Sequence, residues 1–226
     1  MHVVVLIAVS LFAVAGFWQL RRLDERRDAN ALLSKRLAMP PVRALRDGGD
    51  LTFRRASLSG RYDTSEEVVL TGRQSQGSPG DHLLTPLTSD DDESIVVDRG
   101  WVPARTPKRA AAPPEGQVTV EGVLLPSEGE GPFSAGGGEA DRISRIDVER
   151  LGAQMPYDLA GVYLLLDGQD PPQDDGIPVP ADLAPRGEGS HLSYAVQWFG
   201  FIPTALVVYA AILRRESRKR ATAPLT

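Results

Sequence analysis

The chain of 226 residues contains no cysteine. This absence excludes a disulfide framework, a cysteine-based zinc or copper site and the covalent attachment of a c-type haem. Histidine is scarce as well, since the chain has three, and a catalytic triad therefore has few residues to serve as its base. Basic residues are fewer than acidic ones, 25 against 30, and five of the basic residues crowd the C-terminal end. The acidic middle argues against binding of nucleic acid or anionic lipid, because both reward lysine and arginine.

Two long apolar runs lie at the ends of the chain. Residues 192–213 are 22 positions without a formal charge, and residues 1–20 are interrupted only by His2, Ser10 and Gln19. The core of a bilayer is about 30 Å thick and needs about 20 such residues at a helical rise of about 1.5 Å each. Both runs therefore predict transmembrane helices, which form a hairpin around a long polar segment.

The N-terminal run predicts a retained helix rather than a cleaved signal peptide. No basic region precedes it and no Ala-x-Ala cleavage site ends it, and Trp18 is followed almost at once by Arg21 and Arg22. The cations after the second run place the C-terminus in the cytoplasm, and two spans then place the N-terminus there as well. Arg21, Arg22, Arg26 and Arg27 oppose this orientation, but long loops cross membranes regardless of their charge.

The pattern of residue types along the chain predicts an α+β membrane protein with two transmembrane helices. Short β-prone runs punctuated by turn residues indicate a mainly antiparallel sheet, curled or barrel-like, and residues 147–155 indicate a short helix with an aspartate cap. Pro40 and Pro41 end the helical pattern that continues beyond the first span. The predicted parts are a first transmembrane helix (1–20), an amphipathic helical extension (21–39), a β-rich extracytoplasmic domain (40–170), a Pro/Gly-rich linker (171–190), a second transmembrane helix (191–213) and a basic cytoplasmic tail (214–226).

Four features of the polar segment allow a functional interpretation, and each has a plainer one. Ser78, Asp81 and His82 lie close together, but no nucleophile elbow surrounds the serine, so the stretch is first a turn. The glycines at 136–138 lack the strand and the Gly-Lys-Ser/Thr of a phosphate loop, and the acidic residues 90–93 fit a solvated hairpin tip. Trp101, which ends the strongest strand signal, fits a packing residue beside a tight turn, and contact with the membrane surface or a partner is the alternative.

The hairpin itself is more informative. The end of the first span and the beginning of the second lie at the same membrane face, which places Trp18 and Gln19 level with His191. His191, Tyr194, Ala195 and Trp198 share one helical stripe, by the spacing i, i+3, i+4 and i+7.

This stripe suits a planar and mostly apolar ligand with a metal, whose iron the imidazole of His191 would bind axially, as in a haem protein. Ordinary interfacial belt residues are the alternative interpretation of the same aromatic side chains. Gln197 and Pro203, polar or disruptive within the second span, point to a partner helix.

Five motifs occur in order along the chain. The first span closes with Trp18-Gln19-Leu20-Arg21-Arg22, and the second opens with the run from His191 to Gly200. Between them lie Gly60-Arg61-Tyr62-Asp63, Pro79-Gly80 followed by Leu84-Thr85-Pro86-Leu87, and Val96-Val97-Asp98-Arg99-Gly100-Trp101-Val102-Pro103. In this order and placement, from position 18 to 200, the chain resembles the Surfeit locus protein one family, whose members are assembly factors for haem-copper cytochrome c oxidase.

The resemblance implies a multi-pass protein whose middle domain is extracytoplasmic. Such a protein is expected to bind haem a and pass it to the catalytic subunit of the oxidase. The histidine implicated in that binding falls on His191, with Trp198 as a haem neighbour. Tyr194 and Trp18 complete the expected groove. Because no transit peptide precedes the first span, a bacterial cell membrane is expected rather than the mitochondrial inner membrane.

The leading hypothesis is a non-catalytic haem-handling chaperone that serves the oxidase. Its expected partners are the oxidase subunits, chiefly the haem-bearing one, then the machinery that makes haem a, and the surrounding lipid; nucleic acid is not among them. The first alternative is a membrane scaffold that holds oxidase subunits without binding haem, with Gln19, Gln197 and Pro203 facing a partner helix. The second is a membrane-anchored hydrolase that uses His82.

Overall fold

The computed structural model describes residues 1–47, 49–89, 93–129, 141–173, 176–181, 183, 187 and 189–221. The chain divides into two compact units. Residues 1–32 together with 185–226 form the first, which we call the helical unit. Residues 33–184 form the second, which we call the sheet unit.

Three α-helices are present in the described part of the chain. They are α1 (His2–Leu37), α2 (Val148–Gly152) and α3 (His191–Ala221). Helix α1 ends three residues before Pro40, which has no N–H to continue the helical ladder. Helix α3 runs through Pro203 without ending, and the Thr204 hydroxyl donates a hydrogen bond to the carbonyl of Gly200 at 2.9 Å.

Both long helices have the length and composition needed to cross a membrane. Nearly all of their apolar segments are exposed in the helical unit, including large side chains such as Val3, Leu6, Leu11, Val196 and Val207. A pair of helices cannot bury apolar residues that face every direction, so this surface is suited to lipid.

The described residues of the sheet unit form seven strands and three short 3₁₀ helices. The strands are β1 (Arg55–Tyr62), β2 (Val68–Ser75), β3 (Ser78–Thr88), β4 (Ser94–Pro103), β5 (Val118–Pro126), β6 (Arg142–Ile143) and β7 (Leu159–Asp170). The 3₁₀ helices are Leu45–Asp47, Thr64–Glu66 and Lys108–Ala111. The strand order across the sheet is β1-β5-β7-β4-β3-β2-β6.

The sheet is mixed but mainly antiparallel, as expected, and it is not a barrel, which corrects the barrel-like part of the expectation. Strand β7 pairs in parallel with β4, and β6 pairs in parallel with β2, while the other pairings are antiparallel. The far end of β1 curls towards β3, where Arg61 faces Thr88 and Tyr62 faces Leu87. Alternating residues predict strands but not their neighbours, so the entry of β7 between β5 and β4 had no signal in the sequence.

The sheet is buried on both faces, and adjacent residues of one strand go to opposite sides. Val97 and Leu164 belong to one hydrophobic cluster, whereas Val96 and Leu165 belong to the other. This explains why the runs around these residues are continuously apolar instead of alternating. Each fully buried Val or Leu contributes about 1.5–3 kcal/mol relative to exposure.

Helix α2 covers part of the second cluster, with Val148 and Leu151 turned inward. The Asp147 carboxylate accepts a hydrogen bond from the N–H of Arg150, so the predicted short helix with an aspartate cap is confirmed. The stretch that contains His82 is not a turn, because residues 78–88 form β3 and the turn precedes them at Gln76 and Gly77.

Candidate functional site

The two long helices of the helical unit run antiparallel, and their register is set by side-chain contacts along most of their length. The contacts are a hydrogen bond between Gln19 and His191, ring pairs Phe17–Phe199 at 5.3 Å and Phe12–Trp198 at 5.9 Å between centroids, and a contact between His2 and Tyr209. Positions fall along α1 as they rise along α3. The expected proximity of His191 to the end of the first apolar run is therefore observed.

His191 lies at the first position of α3 and is half-buried. Its Nδ1 is 2.8 Å from Oε1 of Gln19. An amide oxygen can only accept, so Nδ1 carries the proton and donates this bond. In the neutral imidazole the lone pair then resides on Nε2, which is the arrangement of a histidine that binds a metal through Nε2.

Space beside Nε2 is left by Gly189, whose backbone has a positive φ of 68°. A Cβ built on Gly189 would lie 3.6 Å from Nε2 and 3.5 Å from Cδ2 of His191. Glycine adopts this left-handed conformation at little cost, and it places no side chain against the ring edge that carries the lone pair. Position 189 thus leaves this side of the imidazole free of a side chain of its own.

Trp198 lies two helical turns from His191, about 10 Å along the axis. Its indole packs on Phe12 of α1 and, edge-on at 5.7 Å, on Phe201. Ala195, on the same stripe, is buried. These residues face α1, so Trp198 helps to hold the two helices together.

Tyr194 and Trp18 lie elsewhere, on the outside of the hairpin. Tyr194 is 48 % exposed, which departs from the expectation of one continuous stripe with His191 and Trp198. Trp18 is 54 % exposed, and the guanidinium carbon of Arg22 lies 6.0 Å from the centroid of its ring. The four predicted residues therefore divide into two groups, His191 and Trp198 facing α1, and Tyr194 and Trp18 facing outward.

These residues fit a haem in the chemistry of their side chains. Haem needs one nitrogen ligand at the iron, apolar and aromatic surface for the macrocycle, and a cationic or wet boundary for its carboxylates. The nitrogen ligand would be Nε2 of His191. The aromatic surface would be the exposed rings of Trp18 and Tyr194, and the cationic boundary would be Arg22. Within the part of the chain that the structure describes, no group of three or more His, Asp or Glu residues suits a metal ion held by protein alone.

His82 belongs to the sheet unit and has a carboxylate partner. Its Nδ1 lies 2.9 Å from Oδ2 of Asp98, and Oδ1 of that aspartate also accepts the N–H of Gly100 at 3.0 Å. Asp81, which the sequence placed beside His82, instead accepts a bond from Arg142 at 2.7 Å. The signal for the His82–Asp98 pair was the hairpin of β3 and β4, which brings residues on either side of its acidic tip together.

Arg99 is the centre of a buried network that sequence reasoning did not single out. Its guanidinium donates to the Glu67 carboxylate at 3.1 Å, to the Ala111 carbonyl at 2.6 Å and to the Gln173 side chain at 2.7 Å. The ring of Tyr62 lies under it at 5.5 Å. Burial lowers the pKa of Arg99, and Glu67 opposes that shift. Such a buried network points to a structural role of Arg99 rather than to a reactive group.

The remaining stretches have structural roles or lie outside the described residues. Trp101 exchanges both backbone hydrogen bonds with Val179, at 2.7 and 2.8 Å, and its indole packs directly against Gly80, in keeping with a packing role. Glu93 accepts the backbone N–H groups of Leu45 and Arg46, so it holds a turn. Residues 90–92 of the acidic tip and the glycines at 136–138 lie outside the described residues.

Comparison with known proteins adds the family. A model described as the SURF1 family matches residues 6–202, which include Gln19, His191 and Trp198. A SURF1-like protein of Rickettsia felis is 27% identical over 220 residues, which cover 95% of this chain and 97% of that protein. An uncharacterised SURF1-like protein of Mycobacterium bovis is 28% identical over 242 aligned positions, 98% of this chain and 86% of its own length.

A SURF1-like protein of Monosiga brevicollis is 26% identical over 226 positions, covering 91% of this chain and 84% of that protein. The matched region covers most of α1, the whole of the sheet and the first part of α3. The motifs at the two ends and the strands between them therefore agree with the family model, and the chain belongs to the SURF1 family.

Proposed function

We propose that this protein is a non-catalytic assembly factor for haem-copper cytochrome c oxidase that binds haem a and assists its insertion into the catalytic subunit. The SURF1 family, to which the chain belongs, consists in general of oxidase assembly factors. Haem a as the cargo, and His191 as the residue that holds it, are the specific parts of the proposal.

The observation that carries the proposal is the bond between Nδ1 of His191 and Gln19, at 2.8 Å. It holds the imidazole where two apolar helices meet and leaves Nε2 with its lone pair. An apolar macrocycle needs an exposed apolar surface next to the residue that binds its iron, and a soluble domain with a buried core does not offer one. The helical unit provides both at one end.

The four residues of the proposed site have different roles in haem binding. His191 binds the iron through Nε2, and Trp18 and Tyr194 offer exposed ring faces to the macrocycle. Trp198 acts at one remove, because its packing on Phe12 keeps α3 against α1. Haem, when bound, supplies the iron and the visible absorbance. A single non-covalent ligand suits a carrier, which has to release its cargo.

The setting of the protein follows from its two apolar helices. We place it in a bacterial membrane with both termini in the cytoplasm and the sheet unit outside, since the cations in the C-terminal part of α3, beyond its apolar run, favour that orientation. Its partners are the haem-bearing subunit of the oxidase, the enzymes that produce haem a, and the lipid around the helices. Topology is testable with reporter fusions at the two termini and within the sheet unit.

The experiment is a spectrum of the detergent-purified protein from cells that make haem a, compared with the His191→Ala variant. We expect the wild type to carry haem a and the variant to lose most of it. His2→Ala is the matched control, because His2 lies in the same hairpin at the far end of α1, where it contacts Tyr209. An unchanged haem content in His191→Ala, with the control also unchanged, would overturn the assignment.

A scaffold without haem remains the second candidate, and one observation favours it. Gln197 is exposed on α3, and the described residues include no hydrogen-bond partner for its amide. Pro203 lacks the N–H that would otherwise bond the carbonyl of Phe199. Polar groups at that depth favour contact with another helix. Co-purification of oxidase subunits that depends on Gln197 but not on His191 would support the scaffold over the carrier.

A further inference from the structure

We infer that Gln19 is a positioning residue that selects the imidazole tautomer of His191, so that Nε2 is the nitrogen offered to the haem iron. This inference rests on the proposed function for the identity of the iron, and on the structure alone for the tautomer. It also departs from the earlier expectation that Gln19 faces a partner helix, because the residue is engaged inside the hairpin at 2.8 Å.

The chemistry follows from the acceptor that Gln19 presents. A neutral imidazole carries one proton, and in a free histidine side chain the proton resides mostly on Nε2. A histidine in that form offers Nδ1, the nitrogen next to its own backbone, which is a crowded ligand. The Oε1 of Gln19 draws the proton to Nδ1 and reverses this preference. Nε2, at the outer end of the ring, becomes the donor atom.

The surroundings of the pair strengthen this effect. Hydrogen bonds are stronger in a medium of low dielectric constant, and Gln19 lies in the last turn of the apolar run, immediately before Leu20 and Arg21. The Gly189 turn leaves the Nε2 edge open, with a hypothetical Cβ at 3.6 Å. The two sides of the ring thus differ: Nδ1 is bonded to Gln19 of α1, whereas the described part of the chain includes no hydrogen-bond partner for Nε2.

The choice of an amide instead of a carboxylate has a consequence for release. A carboxylate that accepts from a ligating histidine makes the imidazole more basic and binds the metal more strongly. The neutral oxygen of Gln19 orients the ring and adds little to its basicity. Orientation without strong binding is what a carrier requires, since it must give up the haem to its acceptor.

The first test needs no haem. Nitrogen-15 NMR of the full-length protein in detergent, labelled at histidine, distinguishes protonated from unprotonated ring nitrogens of His191. We expect an unprotonated Nε2 in the wild type and in Gln197→Leu, which removes a glutamine from the same hairpin without touching His191. In Gln19→Leu the unprotonated nitrogen should change to Nδ1. A wild type that is unprotonated at Nδ1, or a Gln19→Leu spectrum like the wild type, overturns the inference.

The second test uses the haem-loaded protein and keeps the idea testable if Gln19→Leu fails to fold. Gln19→Glu retains the acceptor oxygen and the size of the side chain. We expect it to keep haem and to lower the reduction potential of the iron, whereas Gln19→Leu should bind haem about tenfold more weakly. An unchanged potential in Gln19→Glu contradicts the positioning role. Failure of the proposed function is recognised separately, by a full haem content in His191→Ala.

Discussion

Gly16 of α1 lies directly beneath the aromatic ring of Phe199 in α3. A Cβ on Gly16 would be 2.7 Å from Cζ of that ring, and 2.8 and 2.9 Å from its Cε atoms. No real side chain tolerates such distances unless the ring moves. The glycine therefore permits the close approach of the two helices one turn before Gln19, the residue that bonds His191.

Replacement of Gly16 by leucine should separate the helices at this level. Overpacking of a tight contact costs about 1–3 kcal/mol, and the longer side chain must displace Phe199. We expect a lower unfolding temperature in detergent and a loss of haem. Gly200→Leu is the control, since a Cβ at Gly200 meets nothing within 4 Å. Equal behaviour of the two variants would show that the contact between Gly16 and Phe199 does not hold the hairpin.

Removal of the charge of Glu67 should destabilise the sheet unit strongly. The variant Glu67→Gln leaves the Arg99 guanidinium, which is 1 % exposed, without its counter-ion. Breaking a buried pair in this way costs about 3–5 kcal/mol. The exposed pair Arg22–Glu25, at 2.8 Å, offers the comparison, and Glu25→Gln should cost about 0.5 kcal/mol or less. Denaturant unfolding of both variants measures the difference; similar losses would mean that Arg99 is compensated by its other partners.

The acid stability of the protein should depend on Asp63. Burial alone would raise its pKa, but hydrogen bonds from Ser65 and from the Tyr157 hydroxyl outweigh burial and leave the pKa below its ordinary value of 3.8. A carboxyl whose pKa is lowered in the folded state stabilises that state above the unfolded-state pKa. The contribution is lost as pH falls through the folded-state pKa.

Asp63→Asn should therefore lose less stability than the wild type between about pH 5 and pH 2. Tyr157→Phe removes one of these donors, so its acid profile should lie between those of the wild type and Asp63→Asn. Urea midpoints at a series of pH values measure this. A wild-type slope in Asp63→Asn would assign the acid sensitivity to another carboxyl group.

His82 should matter to the stability of the sheet unit and not to oxidase assembly. His82→Ala leaves Asp98, which is 3 % exposed, with one fewer hydrogen bond, and we expect a loss of about 1–3 kcal/mol. Oxidase activity in membranes should stay near the wild-type level at a temperature where the variant is folded. Loss of assembly by a folded His82→Ala would revive the hydrolase hypothesis.

The hairpin and its histidine could be predicted because both follow from simple geometry. Two uncharged runs of about 20 residues, with opposite directions through one membrane, bring Gln19 level with His191 whatever the orientation. Helical spacing then places His191, Ala195 and Trp198 on one side of α3. The contact of Trp198 with Phe12 agrees with that spacing. Tyr194 departs from it, because 300° of rotation from His191 carries its side chain to the flank of the interface.

Other features could not be read from the sequence, because they depend on contacts between distant segments. Strand β7 was recognisable from its apolar residues, but its parallel pairing with β4 is decided by the packing of Leu164 and Leu165 on the two sides of the sheet. A bond from Gln19 to His191 could have been proposed from the sequence, since the hairpin places both residues at the same depth. Which groups pair at that depth depends on the rotation of each helix, and periodicity alone does not fix it.

Closing the open side of His191 should block haem binding without disturbing the hairpin. In Gly189→Ala the methyl group lies 3.6 Å from Nε2, and the residue is strained because its φ is 68°. Gly187→Ala is the matched control, since a Cβ there meets nothing within 4 Å. We expect haem a to fall at least several-fold in Gly189→Ala and to stay unchanged in Gly187→Ala, as measured by absorbance per mole of purified protein. The histidine NMR spectrum should keep its unprotonated Nε2 in both variants. Full haem content in Gly189→Ala would show that the iron approaches the imidazole from another direction.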